Sequence, residues 1–306
     1  MTTTKEPAGN AGWKPLFAIA LLSLIWGVTW VLSKQALSYA PPFAFAAQRC
    51  VGSAFALLLV ARLSGRSMTL PRPGLTVAIS LSQVGGFMAF QSCALVFNGP
   101  GKTSVLIFTM PIWTLLLAWM MLRERIRGLQ WVAALSTLSG LLLIIAPWDL
   151  HGGLTGDLFG VAAAMCWAIG TILVKRLRAT HAVDLLALTA WQMLIGALPL
   201  GVLALVIPER ATDWTLHYLV LLALVSLLST SLGWWLWIYV LDRVPAWEAS
   251  LSVLGTPVVA IVTSTLALGE SFLPAEVAGM ALIATGLAFL SLVGYLNRGG
   301  PSPPGR

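Results

Sequence analysis

Between Lys14 and Lys34 the chain reads PLFAIALLSLIWGVTWVLS, nineteen residues without a single charge. An α-helix needs about twenty apolar residues to cross a hydrocarbon core roughly 30 Å thick. Runs of that kind recur to the end of the chain, and they constrain the fold more than any other feature. Ten are recognisable, at approximately 15–36, 43–62, 74–96, 103–122, 128–147, 157–177, 185–206, 217–240, 247–268 and 275–296. Of the 306 residues 58% are hydrophobic and only 9% charged, against about a quarter charged in a soluble domain. The expectation is an all-α integral membrane protein with ten transmembrane helices. No loop is long enough to hold a soluble domain, so whatever the chain does, it does within the membrane.

The first run follows the polar stretch MTTTKEPAGNAGWK and superficially resembles a signal peptide. It runs on into a lysine and lacks a clear small-residue cleavage site, so it reads as a retained span. Pro41-Pro42, Pro71-Arg72-Pro73, Asn98-Gly99-Pro100-Gly101, Pro208 and Pro274 punctuate the joints as turn formers do. With the N-terminus placed in the cytoplasm, the inner loops and tails receive Lys5, Lys14, Arg62, Arg66, Arg72, Arg123, Arg125, Arg127, Lys175, Arg176, Arg178, Arg243, Arg298 and Arg306. The outer loops receive only Lys102 and Arg210, alongside Asp149, Asp157, Glu209, Asp213, Glu270 and Glu276. The positive-inside rule then puts both termini in the cytoplasm. A net charge of +7 is therefore a topology signal and not a nucleic-acid footprint. The cysteines Cys50, Cys93 and Cys166 all fall inside apolar runs, which argues for packing residues and against a disulfide framework.

The chain also repeats itself. Trp26 and Lys34 are eight residues apart in the first run, as are Trp167 and Lys175 in the sixth, with Trp30 and Thr171 at the midpoints. Gln48 and Gly52 match Gln192 and Gly196. KTSVLIFTMPIWTLLLAWMMLRER aligns without gaps to EASLSVLGTPVVAIVTSTLALGES. This shift of 146 positions pairs Ser104 with Ser250, Pro111 with Pro257, Glu124 with Glu270, Ala133 with Gly279, and Gly140 with Gly286. Each half holds an odd number of spans, so the halves enter the membrane in opposite orientation, a plan that recurs in secondary transporters with the substrate site between the halves. The expected organisation is a tail over 1–14, a first repeat over 15–147, a periplasmic linker over 148–156, a second repeat over 157–296, and a tail over 297–306.

The paired five-span halves, each ending in the stretch from Pro111 to Glu124 or from Pro257 to Glu270, resemble the EamA-type repeat of the drug/metabolite transporter superfamily. The resemblance covers nearly the whole chain and is closest to the aromatic amino-acid exporters. It implies a ten-helix carrier in a bacterial inner membrane, exporting amino acids or similar small metabolites.

Several residues are candidates for that work. Trp26, Trp30 and Lys34 mark one face of the first helix, and Trp167, Thr171 and Lys175 mark its mate. The tryptophans either wall a central cavity on which a substrate stacks or pack helices together. The lysines either stand at the cavity mouths or snorkel to the interface, the second being favoured. Pro111 and Pro257 remove backbone donors and free the carbonyls of Ile107 and Val253, with Thr109 and Thr256 close by, and so are candidates for gating. Arg49 lies inside the second span, where an arginine is a functional candidate by default, here for a substrate carboxylate; it equally suits a tie to headgroups or helix ends. The family repeat often has an arginine at this place. Gln48, Gln83, Gln91 and Gln192 serve either an amino acid's polar ends or helix–helix hydrogen bonds. Trp234, Trp235, Trp237 and Tyr239 read best as an interfacial belt, with Trp237 a candidate for the cavity.

No Asp or Glu falls at the middle of a span. Small multidrug-resistance relatives carry a glutamate in the first helix, and this chain does not. Transport without a carboxylate proton relay is therefore expected. Glu124 and Glu270 read as helix-end charges with some scope for gating. Ala133, Gly140, Gly279 and Gly286 read as close-packing sites between the fifth and tenth helices. GPGKTS at 99–104 imitates the end of a phosphate-binding loop, but Val96 stands where the pattern needs glycine and the segment is an outer turn. No cofactor, metal or nucleic acid is expected, and no catalytic cluster points to an enzyme. The partners expected are a small-molecule substrate and the lipid bilayer, with the chain acting as a monomer or a homodimer. The nearest rival to amino-acid export is multidrug or organic-cation export, which tryptophan walls would also suit.

Overall fold

The computed structural model describes residues 13–66, 68–122, 128–145, 154–181, 183–237 and 255–296. Every regular element among them is helical: α1 Trp13–Ala36, α2 Pro42–Leu63, α3 Pro73–Phe97, α4 Pro100–Ile107, α5 Met110–Leu122, α6 Leu129–Ile145, α7 Leu154–Thr180, α8 Leu185–Val206, α9 Leu216–Trp237, α10 Gly255–Leu268 and α11 Pro274–Leu296. Among the described residues seven stretches are long and apolar enough to cross a bilayer: most of α1, all of α2 and α3, α4 with α5, and α7, α8 and α9. Trp131–Ile144 within α6 and Gly255–Leu268 are shorter apolar helices.

The helix starts follow local chemistry. Pro42, Pro73 and Pro100 occupy first-turn positions, where a missing N–H costs nothing. Asp184 caps α8 by accepting from the backbone N–H groups of Leu186 at 2.9 Å and Ala187 at 3.1 Å. Thr215 caps α9 through the N–H of Tyr218 at 3.1 Å.

The surface is inverted relative to a soluble protein. Leu205 is 88% exposed and Leu266 82%. Alanine, serine and threonine crowd the interior instead, among them Ala46, Ala54, Ser53, Ser104 and Thr103. Where lipid is the solvent, helices associate by close packing of small residues and not by burial of leucine.

α6 lies along α11, α2 along α8, α1 along α10, and α7 along α3, α4 and α5. The α6–α11 contact is the tightest. A Cβ on Gly140 would stand 2.5 Å from the carbonyl oxygen of Gly279, and one on Gly279 would stand 2.6 Å from that of Gly140. One on Gly286 would meet the Ala133 carbonyl at 2.9 Å. Midway between these points Ser136 donates its hydroxyl to the Leu282 carbonyl at 3.1 Å.

Three details differ from the sequence expectation. The fourth span is not one helix from 103. It begins at Pro100 and breaks between Ile107 and Met110. Pro111 has no N–H to give Ile107, and the chain responds by tightening: Thr109 N–H reaches the Leu106 carbonyl at 3.3 Å and Ile112 N–H the Thr109 carbonyl at 2.9 Å. The Thr109 hydroxyl donates to Leu106 at 2.6 Å and accepts from the Trp113 indole at 3.0 Å. Pro257 stands instead in the first described turn of α10, and the Val253 carbonyl lies outside the described residues, as do Glu124 and Tyr239. The GPGKTS segment likewise is a turn only as far as Gly99 and helix from Pro100 onward.

Candidate functional site: a tryptophan-walled cavity around Arg49

The break between α4 and α5 opens onto a narrow cavity of about 50 Å³ in the middle of the bundle. α1 contributes Trp26, Thr29 and Trp30; α2 contributes Arg49; α3 contributes Phe87, Met88 and Gln91. Ile107, Phe108 and Met110 come from the break itself, Trp167 from α7, and Ser229 and Trp234 from α9. The lining is mostly aromatic and aliphatic with a few placed polar groups, as in small-molecule sites.

The aromatic wall is continuous. Trp26 meets Trp167 edge-on, with ring centres 6.4 Å apart, and Trp167 lies 4.9 Å from both Phe87 and Trp234. The Trp26 indole N–H donates to the Ser229 carbonyl at 3.1 Å, which fixes the ring's rotation. Gly233 permits this, because a Cβ there would come within 2.3 Å of that nitrogen.

Ser229 is available as an acceptor because α9 is π-helical from Val225 to Gly233. α3 is π-helical from Ser80 to Gly86. The shift of 146 positions that aligns the Pro-to-Glu stretches also lays Ser80 on Ser226 and Gln83 on Ser229. A π turn costs helical hydrogen-bond geometry and is concentrated at functional sites. Here the π turns put side chains on carbonyls five residues back: Thr230 donates to Val225 and Ser231 to Ser226, each at 3.0 Å.

Arg49 is the cavity's charge. It is 3% exposed, and its Nε and Nη2 donate to the Thr230 hydroxyl oxygen at 3.3 and 3.0 Å. The guanidinium carbon stands 5.8 Å from the centre of the Phe45 ring. Among the described residues no carboxylate comes within 4.0 Å of it; the ion pairs there are Arg66–Asp184, Lys102–Asp157 and Lys102–Glu276. A guanidinium has five N–H donors, and one hydroxyl cannot satisfy them. The Gln91 side-chain oxygen, also lining the cavity, is buried and has no hydrogen-bond partner among the described residues.

Of the residues expected to bind substrate, Trp26, Trp30, Arg49, Gln91 and Trp167 come together here. Others lie outside the lining and are engaged in structure. Gln48 donates to the Thr212 hydroxyl at 3.3 Å and accepts from the Tyr218 hydroxyl. Gln83 donates to Thr171 at 3.4 Å, while the Thr171 hydroxyl itself donates to the Trp167 carbonyl at 2.9 Å. Gln192 is buried in α8. Trp237 backs the wall, its ring centre 6.1 Å from that of Trp26. The lysines also differ from each other. Lys34 Nζ donates to the carbonyls of Leu95, Val96 and Asn98, the last two at 3.3 and 3.0 Å, and so caps the end of α3. Lys175 is exposed near the far end of α7.

Sequence reasoning missed Trp234, Ser229 and Thr230, and with them Thr29, Phe87, Met88, Phe108 and Met110 of the lining. Trp234 reads as part of an interfacial belt but is 6% exposed and walls the cavity. Thr230 and Ser229 carried no signal, because the π turns that aim them have no sequence pattern beyond a run of small polar residues.

A profile of the EamA-like transporter family matches residues 13–146 and again 154–292. The "Uncharacterized transporter YoaV" of Bacillus subtilis is 29% identical over 280 residues, 90% of this chain and 95% of that one. The "Probable amino-acid metabolite efflux pump" of Escherichia coli is 30% identical over 87% of this chain and 91% of that one. Its namesake in Salmonella typhimurium is 28% identical, with 92% and 96% covered. A protein crystal structure sharing 18% identity superposes with a TM-score of 0.65 over 92% of this chain and 99% of its own.

Proposed function

The chain belongs to the EamA-like transporter family, and from that premise we propose that this membrane transporter of the bacterial inner membrane exports aromatic or other apolar amino acids. It is a transporter and not an enzyme. The observation that carries the substrate class is Arg49: a buried cation without a carboxylate partner among the described residues, facing a cavity walled by tryptophan. A substrate carboxylate would complete its hydrogen bonding and neutralise it, and such charge-assisted pairs are the strong ones. The unpartnered oxygen of Gln91 suits the α-ammonium group. Trp26, Trp30, Trp167 and Trp234 suit an aromatic or large aliphatic side chain. The E. coli and Salmonella relatives named as amino-acid metabolite efflux pumps favour the same class.

Transport would run by alternating access through ten spans arranged as two inverted repeats, with both termini cytoplasmic. The packing supports this reading. Gly140 faces Gly279 and Ala133 faces Gly286, although sequence alignment pairs Ala133 with Gly279 and Gly140 with Gly286. That reciprocity is what a two-fold relation between antiparallel helices produces. The break beside Pro111 gives α4 freedom to tilt against α5 at the level of the cavity. Among the described residues no acid lines the cavity, and the cycle is taken to run without a carboxylate proton relay.

The rival is export of organic cations, for which the aromatic wall is equally suitable. Arg49 opposes it, because a cation entering the cavity meets a like charge that no acid among the described lining residues offsets. The test is counterflow in proteoliposomes with radiolabelled phenylalanine, tryptophan and threonine and a cationic dye, with and without a pH gradient. Amino-acid exchange indifferent to the gradient is expected. Dye movement that follows the gradient, with no amino-acid exchange, would refute both the substrate class and the absence of a proton relay.

A further inference from the structure

The GPGKTS segment imitates a phosphate loop, and the structure gives its backbone donors an anion to hold, one from the chain itself. The Glu270 carboxylate, from the turn between α10 and α11, accepts from the N–H groups of Gly101 at 2.9 Å and Lys102 at 3.2 Å. These are first-turn donors of α4, which have no partner within their own helix. Glycine is required for the approach: a Cβ on Gly99 would stand 2.1 Å from one carboxylate oxygen, and one on Gly101 3.1 Å from the other. On the other side of the same turn Lys34 caps the carbonyl end of α3. Each helix end thus receives the sign of charge that its dipole favours, from a different part of the fold. Lys102 completes the closure by bridging Asp157 of α7 at 3.1 Å and Glu276 of α11 at 2.9 Å, and Asn98 donates to Asp157 at 2.9 Å.

This turn joins α3 and α4, two helices that carry part of the cavity lining. Gln91 lies six residues before Phe97 on α3, roughly 9 Å of helix at 1.5 Å per residue. Ile107, at the hinge, is the last residue of α4. We propose that the α3–α4 turn, residues 98–102, is the gate over one end of the cavity, and that Glu270 seated in the Gly99–Lys102 backbone is the latch holding it shut. The carboxylate must leave this seat whenever that end opens, with α4 tilting about Phe108–Thr109. The assignment of this end to the outside rests on the proposed topology; the latch does not.

The test uses the full-length chain with a reporter cysteine, Phe108→Cys, in right-side-out and inside-out vesicles. A membrane-impermeant maleimide is applied and modification at 108 is read by mass spectrometry. With the latch intact, labelling from outside is slow. Glu270→Ala and, independently, Gly99→Ala, which crowds the seat but keeps the carboxylate, each accelerate it on the order of tenfold or more, while native Cys50 stays unlabelled. Equal labelling rates in the parent and both variants would overturn the latch. So would labelling of Cys50 alongside position 108, because Cys50 is fully buried and its exposure would mean that Glu270 only supports the fold. Acceleration confined to inside-out vesicles would support the latch and overturn the proposed orientation.

Discussion

Substituting Gly233 by alanine isolates the tryptophan wall from the rest of the site. The new methyl would stand 2.3 Å from Nε1 of Trp26 and 3.0 Å from its Cδ1, so the indole must move. It cannot move freely, because Trp167 and Trp237 hold it at centre distances of 6.4 and 6.1 Å. Rotation breaks the bond to the Ser229 carbonyl, about 0.5–1.5 kcal/mol for a typical hydrogen bond. It also drives the side chain off its rotamer, at about 0.5–1.5 kcal/mol more. Together these amount to about 1–3 kcal/mol of site preorganisation, a loss in transport efficiency of about 5- to 150-fold. Gly233 lies in a π-helical stretch where backbone geometry tolerates alanine, so the melting temperature in detergent should fall by only a few degrees. The assay is phenylalanine counterflow in proteoliposomes beside a thermal melt of the same preparation. Unchanged counterflow would refute the claim that the position of Trp26 matters to substrate. A collapse of stability in step with counterflow would assign the tryptophans to packing alone.

Arg49→Met should lower amino-acid exchange by about 10- to 150-fold, the loss of a charge-assisted bond of about 1.5–3 kcal/mol, yet leave the melting temperature unchanged or raised, because Thr230 keeps its bond to Val225 and an uncompensated buried charge is removed; a melting temperature that falls with activity would make Arg49 structural. Gly140→Ala and Gly279→Ala should each destabilise the protein by about 1–3 kcal/mol through overpacking, and the double variant should cost less than the sum, since one separation of α6 from α11 relieves both clashes; strict additivity in thermal melts would contradict the reciprocal contact.

Most of the helical order was legible because lipid imposes one rule along the whole chain: about twenty apolar residues, then a turn former. α8 at Leu185–Val206 and α2 at Pro42–Leu63 stand within a residue of where that rule puts them. The break after Ile107 was half legible. Pro111 announces a freed carbonyl, but whether a helix kinks or parts depends on what Thr109 and Trp113 find to bond. The π turns were illegible, since insertion of a residue into a helical ladder is decided by tertiary packing and leaves no periodic trace. The same limit hid Trp234: four aromatic residues crowded at 234–239 fit an interface belt by composition, and only the π turn before them rotates Trp234 inward. Of the candidate amides, Gln91 and Gln48 are alike on paper. What separates them is a neighbour distant in sequence, Tyr218, which satisfies the second and not the first.

The central claim is that the substrate sits in the cavity around Arg49. A photoreactive diazirine analogue of phenylalanine, crosslinked to the purified protein and mapped by mass spectrometry, tests it most directly. The account predicts adducts confined to Trp26–Trp30, Phe87–Gln91, Ile107–Met110, Trp167 and Ser229–Trp234, suppressed by excess phenylalanine and lost in Arg49→Met. Adducts that phenylalanine suppresses but that map to the lipid-facing surface or to the loops would contradict it.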